Sequence, residues 1–137
     1  DLITRLARMD ADLWLEPRPA ALDLVNSVFG WGVRTALLSN APLIMGKLIR
    51  HTDWVNLFDK VYISAELGFV KPDPRVFALV TADLGVQPSE IAFIDDREPN
   101  VLAARALGWE AHLWVDDDDS RRWLGDVCGG ALPGDPA

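Results

Sequence analysis

The sequence predicts an α/β fold in which a Rossmann-like parallel sheet carries helices on both faces. Two observations lead to this fold class. Residues 34–40 and 91–95 are short, continuous apolar runs that end in small polar or acidic residues, which is typical of parallel strands buried on both faces. Stretches with apolar residues at helical spacing alternate with these runs, and such alternation produces right-handed strand–helix–strand units.

Two amphipathic helices are predicted before the first strand. In residues 2–14 apolar side chains recur at helical spacing, and Pro17 and Pro19 end that pattern. From Pro19 to about Gly30 the same spacing returns, and Gly30 is suited to the end of a helix. The chain therefore enters the predicted sheet from a helix.

From residue 34 onward strands and helices alternate. The predicted elements are a strand at 34–40, a helix at 42–51, a strand at 60–64, a helix within 68–85, a strand at 91–95, a helix from about Pro99 to Leu107 and a strand at 110–115. The helix within 68–85 has the clearest ends, because Asp73 suits the N-cap, Pro74 the first helical position and Gly85 the C-terminal turn. The acidic run Asp116–Asp119 is interpreted as a solvated loop.

Composition and charge exclude several classes of partner. The chain has 137 residues, a formal net charge of −8 and a sequence pI near 4.6, so its overall field repels nucleic acid and anionic membranes. No apolar run is long enough to span a bilayer. Cys128 is the only cysteine, which excludes an intramolecular disulfide and favours a reducing, cytoplasmic location. An anionic ligand would need a local positive pocket.

Polar side chains of three segments fall at the carboxyl ends of predicted strands or in the loops beyond them. Ser39 and Asn40 end the first strand, Lys71 precedes a helix, and Asp95 and Asp96 end the third strand. Ligands of parallel α/β sheets bind at this edge, so we expect these side chains to share one crevice. Adjacent carboxylates stay ionised together when a divalent cation binds them, and Mg²⁺ prefers such hard oxygen ligands.

A phosphate group would complete this predicted site. Mg²⁺ commonly takes one or two protein carboxylates and fills its remaining positions with water and phosphate oxygens. The hydroxyl of Ser39, the backbone amides of Ser39 and Asn40, and the ammonium of Lys71 are donors suited to the other phosphate oxygens. The arrangement therefore leaves room for a phosphate group, while each of its components alone is weak evidence.

Three sequence strings connect this site to a known family. RTALLSN, GFVKPDPRVF and IAFIDDREPNVLAARALGW occur in this order, and they resemble motifs two, three and four of the haloacid dehalogenase superfamily. The resemblance runs from about Glu16 to Val115 and points to the phosphatase branch. It implies the superfamily's core domain at 17–128, in a Mg²⁺-dependent phosphatase that acts on a small phosphate monoester through an aspartyl-phosphate intermediate.

The resemblance also implies a role for each candidate residue. Ser39 would bind the transferring phosphoryl group, and Lys71 would neutralise the charge of that group and of the departing oxygen. Asp95 and Asp96 would hold Mg²⁺, and Asn100 would position the acidic loop. These assignments define a testable active site.

The superfamily's first motif is a strand that ends in Asp-x-Asp-x-Thr or Val, and its first Asp is the nucleophile. The one candidate in this chain is Asp10-Ala11-Asp12, which follows a helical pattern and lies close before the second motif. We therefore expect the nucleophile strand to lie upstream, residues 1–16 to be the remnant of a helical cap domain, and this truncated chain to be nearly inert alone. The Gly- and Pro-rich residues 129–137 are expected to form a flexible tail.

In the superfamily the nucleophile strand lies in the centre of the sheet, between the strands that here end at Ser39 and Asp95. Without it, each of these two strands would have an exposed edge. We expect an upstream fragment, a second copy of the chain, or direct pairing of the two edges to fill the gap.

Other interpretations of the same residues compete with this one. Ser39 could cap a strand end, Lys71 could be an exposed loop lysine, and the Asp95–Asp96 pair could be a charge cluster at a helix N-terminus. A receiver domain combines similar residues, but its acidic pair comes first in the sequence. The functional alternatives are a metal-independent dehalogenase, which usually has other residues at the acidic pair, and a non-enzymatic protein that binds a phosphorylated ligand or a partner chain.

Overall fold

Six α-helices and four β-strands lie in residues 19–128, the part of the chain that the computed structural model describes. The helices are α1 (Pro19–Gly30), α2 (Leu43–Arg50), α3 (Ser64–Leu67), α4 (Pro74–Leu84), α5 (Glu98–Ala106) and α6 (Asp117–Cys128). The strands are β1 (Ala36–Ser39), β2 (Lys60–Ile63), β3 (Ala92–Asp95) and β4 (Glu110–Leu113). The predicted helix at 2–14, the predicted cap remnant at 1–16, Asp10, Asp12 and the predicted tail at 129–137 lie outside the described residues.

The predicted strands are all present, each somewhat shorter than predicted. Every residue of β1 and β3 is buried, which agrees with the absence of an apolar–polar alternation in their sequences. Helix α4 begins and ends as predicted: the Asp73 side chain accepts a hydrogen bond from the Arg75 amide, Pro74 opens the helix, and Gly85 follows its end with φ of 67°. The short helix α3 is an element that the sequence pattern did not predict.

The strands pair in parallel, and among the described residues they form two separate two-stranded sheets. β1 pairs with β2, with Ala36 opposite Lys60, and β3 pairs with β4, with Ala92 opposite Glu110. β1 and β3 do not pair with each other in this part of the chain. Parallel strands connected by helices confirm the predicted α/β class.

A single hydrophobic core joins the two sheets. It contains Leu38 of β1 and Phe93 of β3 together with side chains of α4 and α5. The rings of Phe77, Phe93 and Trp109 meet edge to face at its centre, with centroids 5.1 to 5.8 Å apart. The carboxyl ends of β1 and β3 are therefore held close to each other although the strands share no ladder.

Helices cover both faces of the strands, as predicted. On the face opposite the shared core, α1 and α6 pack against β3, and α2 packs against β1 and β2. The longest described helices, α1 and α6, have 12 residues each. No described helix combines the length and the apolar character of a membrane span.

The edges of β1 and β3 do not have the exposure that the sequence led us to expect. Residues of β1 are at most 2% exposed and those of β3 at most 3% exposed. Ala36, Leu38 and Phe93 pack into the shared core, whereas the other apolar side chains of the two strands, Leu37, Ala92 and Ile94, pack against helices on the opposite face. Occupation of the gap by another strand or a second copy of the chain stays a prediction.

The close approach of α2 to β2 provides a test of this packing. A Cβ added at Gly46 would lie 2.8 Å from Cγ2 of the fully buried Ile63. We expect Gly46→Ala to lower the free energy of unfolding by about 1–3 kcal/mol, because neither backbone nor core can move freely. Urea denaturation measures this, with Gly30→Ala as the control, since a Cβ at Gly30 meets nothing within 4 Å. Equal free energies of unfolding of Gly46→Ala and Gly30→Ala would contradict the close contact between Gly46 and Ile63.

Candidate active site

Lys71 lies at the point where the carboxyl ends of β1 and β3 come together. Its side chain is 3% exposed, and its ammonium donates to Oδ2 of Asp95 at 2.8 Å and to the carbonyl oxygen of Leu38 at 3.0 Å. Leu38 belongs to β1 and Asp95 ends β3. The lysine therefore ties the two sheets together at the edge where ligands of such folds bind. Its interpretation as an exposed loop lysine is wrong.

Asp95 is a buried carboxylate with several donors around it. It is 1% exposed, and Oδ2 accepts from Lys71 and also from Nδ2 of Asn100 at 3.2 Å. Oδ1 accepts from the backbone amide of Arg97 at 2.8 Å. A buried charge needs both an opposite charge and hydrogen bonds, and Asp95 has both. Asn100, itself 4% exposed, thus supports the acidic loop through Asp95.

The side chain of Asn40 clamps the backbone of Lys71. Its Nδ2 donates to the Lys71 carbonyl oxygen at 3.0 Å, and its Oδ1 accepts from the Lys71 amide at 2.9 Å. Both ends of the Asn40 amide group are therefore used in fixing the loop that carries the lysine. Any phosphate contact of Asn40 would therefore have to involve its backbone amide.

Ser39 has a buried hydroxyl without a hydrogen-bond partner among the described residues. The residue is fully buried at the carboxyl end of β1, next to the Leu38 carbonyl that Lys71 contacts. An unpaired buried hydroxyl costs free energy, and most such groups in proteins have a partner. This hydroxyl is thus a donor without a partner among the described residues, in the residue that follows Leu38.

A cavity of about 460 Å³ opens beside Lys71. It is lined by Asn40, Lys71, Pro72, Arg97, Pro99 and Asn100. We call it the phosphate cavity, after the ligand that the sequence predicts at this edge of the sheets. Three of the predicted site residues line it, Asp95 contacts its lysine, and the buried Ser39 and the exposed Asp96 are not among its lining residues.

Arg97 is a cationic side chain of this cavity that the sequence did not single out. Its backbone amide donates a hydrogen bond to Oδ1 of Asp95. Its carbonyl oxygen accepts from the amides of Asn100 and Val101 at 3.1 and 3.2 Å. The backbone is therefore fixed while the guanidinium is exposed at the cavity. Its position directly after the acidic pair, at the N-cap of α5, is the signal that could have identified it.

The acidic pair has the right chemistry for Mg²⁺, but it is not a complete metal site by itself. Two carboxylates are hard oxygen ligands, and Mg²⁺ usually takes only one or two from a protein. In residues 19–128 no group of three His, Cys, Asp or Glu side chains could hold a metal ion. Because Asp95 is 1% exposed and both of its oxygens already accept hydrogen bonds, an ion would be held mainly by Asp96. Water and phosphate oxygens would have to complete its shell.

The family and the fold have clear relatives among known proteins. A family model for haloacid dehalogenase-like hydrolases matches residues 4–108. A sesquiterpene phosphatase from Aspergillus oryzae is 32% identical over 96 residues, which are 69% of this chain and 48% of that protein. The chain spans about half or less of the length of the first three curated relatives that it matches.

Solved structures also match this chain. A HAD family enzyme from Bacteroides thetaiotaomicron, in complex with magnesium and inorganic phosphate, matches with a TM-score of 0.63 and 32% identity, over 70% of this chain and 52% of that one. An uncharacterized protein from Corynebacterium glutamicum has the same fold over 96% of this chain and 98% of its own, with a TM-score of 0.79 and 22% identity. Together with the family model, these likenesses show that the chain belongs to the haloacid dehalogenase-like hydrolases.

Proposed function

We propose that the protein is a Mg²⁺-dependent phosphatase that hydrolyses a small phosphate monoester through an aspartyl-phosphate intermediate. One observation carries this proposal: the ammonium of Lys71 is fixed by Asp95 and the Leu38 carbonyl at the wall of the phosphate cavity. A cation in a fixed position can stabilise charge on a transferring phosphoryl group without reorganisation. The phosphatase named among the relatives, and the related enzyme with bound magnesium and phosphate, support this choice.

Each residue of the site has one task in this proposal. Lys71 balances the charge of the phosphoryl oxygens, while the Ser39 hydroxyl and the Asn40 backbone amide donate hydrogen bonds to them. Arg97 adds a second positive charge at the cavity mouth, where the net charge of −8 would otherwise repel an anion. Asp95 holds the lysine ammonium in place through a hydrogen bond of 2.8 Å.

Asp96 would hold Mg²⁺, which when bound would supply Lewis-acid stabilisation of a phosphate oxygen. The predicted second carboxylate ligand, Asp95, is buried and already accepts hydrogen bonds from Lys71, Asn100 and the Arg97 amide. The remaining task, nucleophilic attack on phosphorus, requires an Asp of the first motif. Asp10 and Asp12 are the candidates within this sequence. The alternative is an Asp on an upstream strand, which is favoured because the sequence around Asp10 and Asp12 has a helical pattern. We therefore expect the 137-residue chain alone to be nearly inert and the protein from the complete gene to be active.

Removal of the Ser39 hydroxyl tests this function. In the protein from the complete gene, Ser39→Ala should lower kcat/KM for p-nitrophenyl phosphate by about 10- to 100-fold, the effect of one hydrogen bond to a charged group. Its free energy of unfolding should stay equal or rise slightly, because the lost hydroxyl has no partner among the described residues. Steady-state kinetics with Mg²⁺ and urea denaturation measure the two quantities.

The control for this experiment is Ser89→Ala, which removes an exposed hydroxyl in the turn before β3. It should change neither activity nor stability. Unchanged turnover of wild-type enzyme in excess EDTA would defeat the magnesium assignment. Phosphate binding without turnover by the protein from the complete gene would favour the non-enzymatic alternative.

A further inference from the structure

A second cavity, of about 680 Å³, adjoins the phosphate cavity, and Asn40 lines both. We call it the apolar cavity, because most of its wall consists of six residues without polar side-chain atoms. These are Ala41, Pro42, Ala65, Gly68, Phe69 and Val70. It is widely open to solvent, and its volume lies within the range of clefts that bind small organic ligands.

The polar side chains that line the apolar cavity already bond to protein groups. The Ser64 hydroxyl accepts from the Ala41 amide at 2.9 Å and lies 3.2 Å from the carbonyl oxygen of the same residue. Asp73 and Arg75 form an ion pair at 2.7 Å, and the guanidinium lies 4.2 Å from the ring centroid of Phe69. The Arg75 side chain is 68% exposed, but its charge is paired with Asp73, so an uncharged polar guest would gain few hydrogen bonds in exchange for those it loses to water.

Val70 gives this cavity an apolar rim directly beside the lysine. Its side chain is 55% exposed, although it precedes the 5% exposed Lys71 in sequence. Its carbonyl oxygen accepts from the Asp73 amide at 2.8 Å, which fixes the backbone of the loop. An apolar group that enters from the phosphate cavity would cover Val70 and remove its surface from water.

We propose that the apolar cavity receives the organic part of the substrate, and that the substrate is the phosphate monoester of an apolar alcohol. This inference rests on the proposed function, since the shared residue Asn40 is assigned to the phosphate. Hydrolysis breaks the phosphorus–oxygen bond to the alcohol. Water supplies the oxygen that stays on phosphorus and the proton that the alcohol takes up, so the products are the alcohol and inorganic phosphate.

A homologous series of alkyl phosphates tests the inference in the protein from the complete gene. From methyl through butyl to octyl phosphate, kcat/KM should rise by about threefold for each of the first methylenes that enter the cavity. Val70→Asn should reduce kcat/KM for octyl phosphate by about five- to tenfold, and it should lower kcat/KM for methyl phosphate much less, because methyl phosphate has no chain to cover Val70.

Leu79→Asn is the matched control, because Leu79 is also an exposed apolar residue, at 41%, but it lies on α4 and does not line the apolar cavity. It should keep the wild-type preference for long chains. Turnover of methyl phosphate without any gain for octyl phosphate would overturn the inference while leaving the phosphatase intact. Val70→Asn with the full chain-length preference would also overturn it, and failure of every phosphate to bind would refute the proposed function itself.

Discussion

Replacement of Lys71 by methionine is expected to lower the free energy of unfolding by about 3–5 kcal/mol, the cost of leaving one partner of a buried ion pair alone. Methionine has a similar length and no charge, so the loss is electrostatic more than steric. The Asp95 carboxylate, 1% exposed, would keep the hydrogen bonds from Asn100 and from the Arg97 amide but lose its only described cation partner. Urea denaturation at neutral pH measures the change.

A control variant and a double variant test whether the stability lost in Lys71→Met is due to the unpaired charge of Asp95. Lys47→Met removes an exposed lysine of α2 and should change stability by less than about 0.5 kcal/mol. Lys71→Met combined with Asp95→Asn removes both charges and should regain a large part of the lost stability. If the double variant is less stable than Lys71→Met alone, the buried charge is not the origin of the effect. All variants without Lys71 should also be strongly impaired in phosphate hydrolysis.

The second large effect is expected for Asp96→Asn, which should reduce Mg²⁺-dependent hydrolysis of p-nitrophenyl phosphate by about 1,000-fold. The amide has the shape of the carboxylate but no negative charge to hold a divalent cation. Kinetics over a range of Mg²⁺ concentrations, in the protein from the complete gene, measure the effect.

Asp118→Asn is the control for this variant, since Asp118 is an exposed carboxylate in the first turn of α6. It removes the same charge from the protein but should leave hydrolysis and its Mg²⁺ dependence unchanged. Retention of wild-type activity by Asp96→Asn would remove this residue from the site and would favour metal-independent chemistry.

The sequence predicted the order and type of the main elements because each has a strong local signal. The continuous apolar runs predicted β1 and β3, and the Asp73–Pro74 pair predicted the start of α4. The ends of the strands depend on partners that the sequence does not name. Thr35, which was included in the first predicted strand, precedes the ladder, because its carbonyl oxygen accepts from the Asp59 amide before the regular pairing of β1 with β2 begins.

Helix α6 shows how a charge pattern was misinterpreted. Asp116–Asp119 was predicted to be a solvated loop, yet Asp117 begins the helix. Carboxylates in a first helical turn are favoured by the helix dipole, and the Asp116 side chain accepts from the Asp119 amide at 2.7 Å. The aspartate run therefore forms the N-terminus of α6 instead of a loop.

In the candidate site, the sequence identified several of the residues but could not indicate which of them contact one another. The motifs identified Lys71, Asp95 and Asn100, which the structure brings into direct contact. The clamp of Asn40 on Lys71 joins residues 31 positions apart, and no local pattern indicates such a pair. Arg97 was missed for a related reason, because only the three-dimensional arrangement places it at a cavity.

The two hydrogen bonds of the Lys71 ammonium fix the direction of its third N–H bond. An ammonium carries three N–H bonds in a tetrahedral arrangement, and within the described residues two of them donate to the Leu38 carbonyl and to Asp95. The third must then point along one axis, since rotation about the terminal carbon–nitrogen bond would break both contacts. An incoming anion can meet this proton from one approach only, so the lysine selects for orientation as well as for charge.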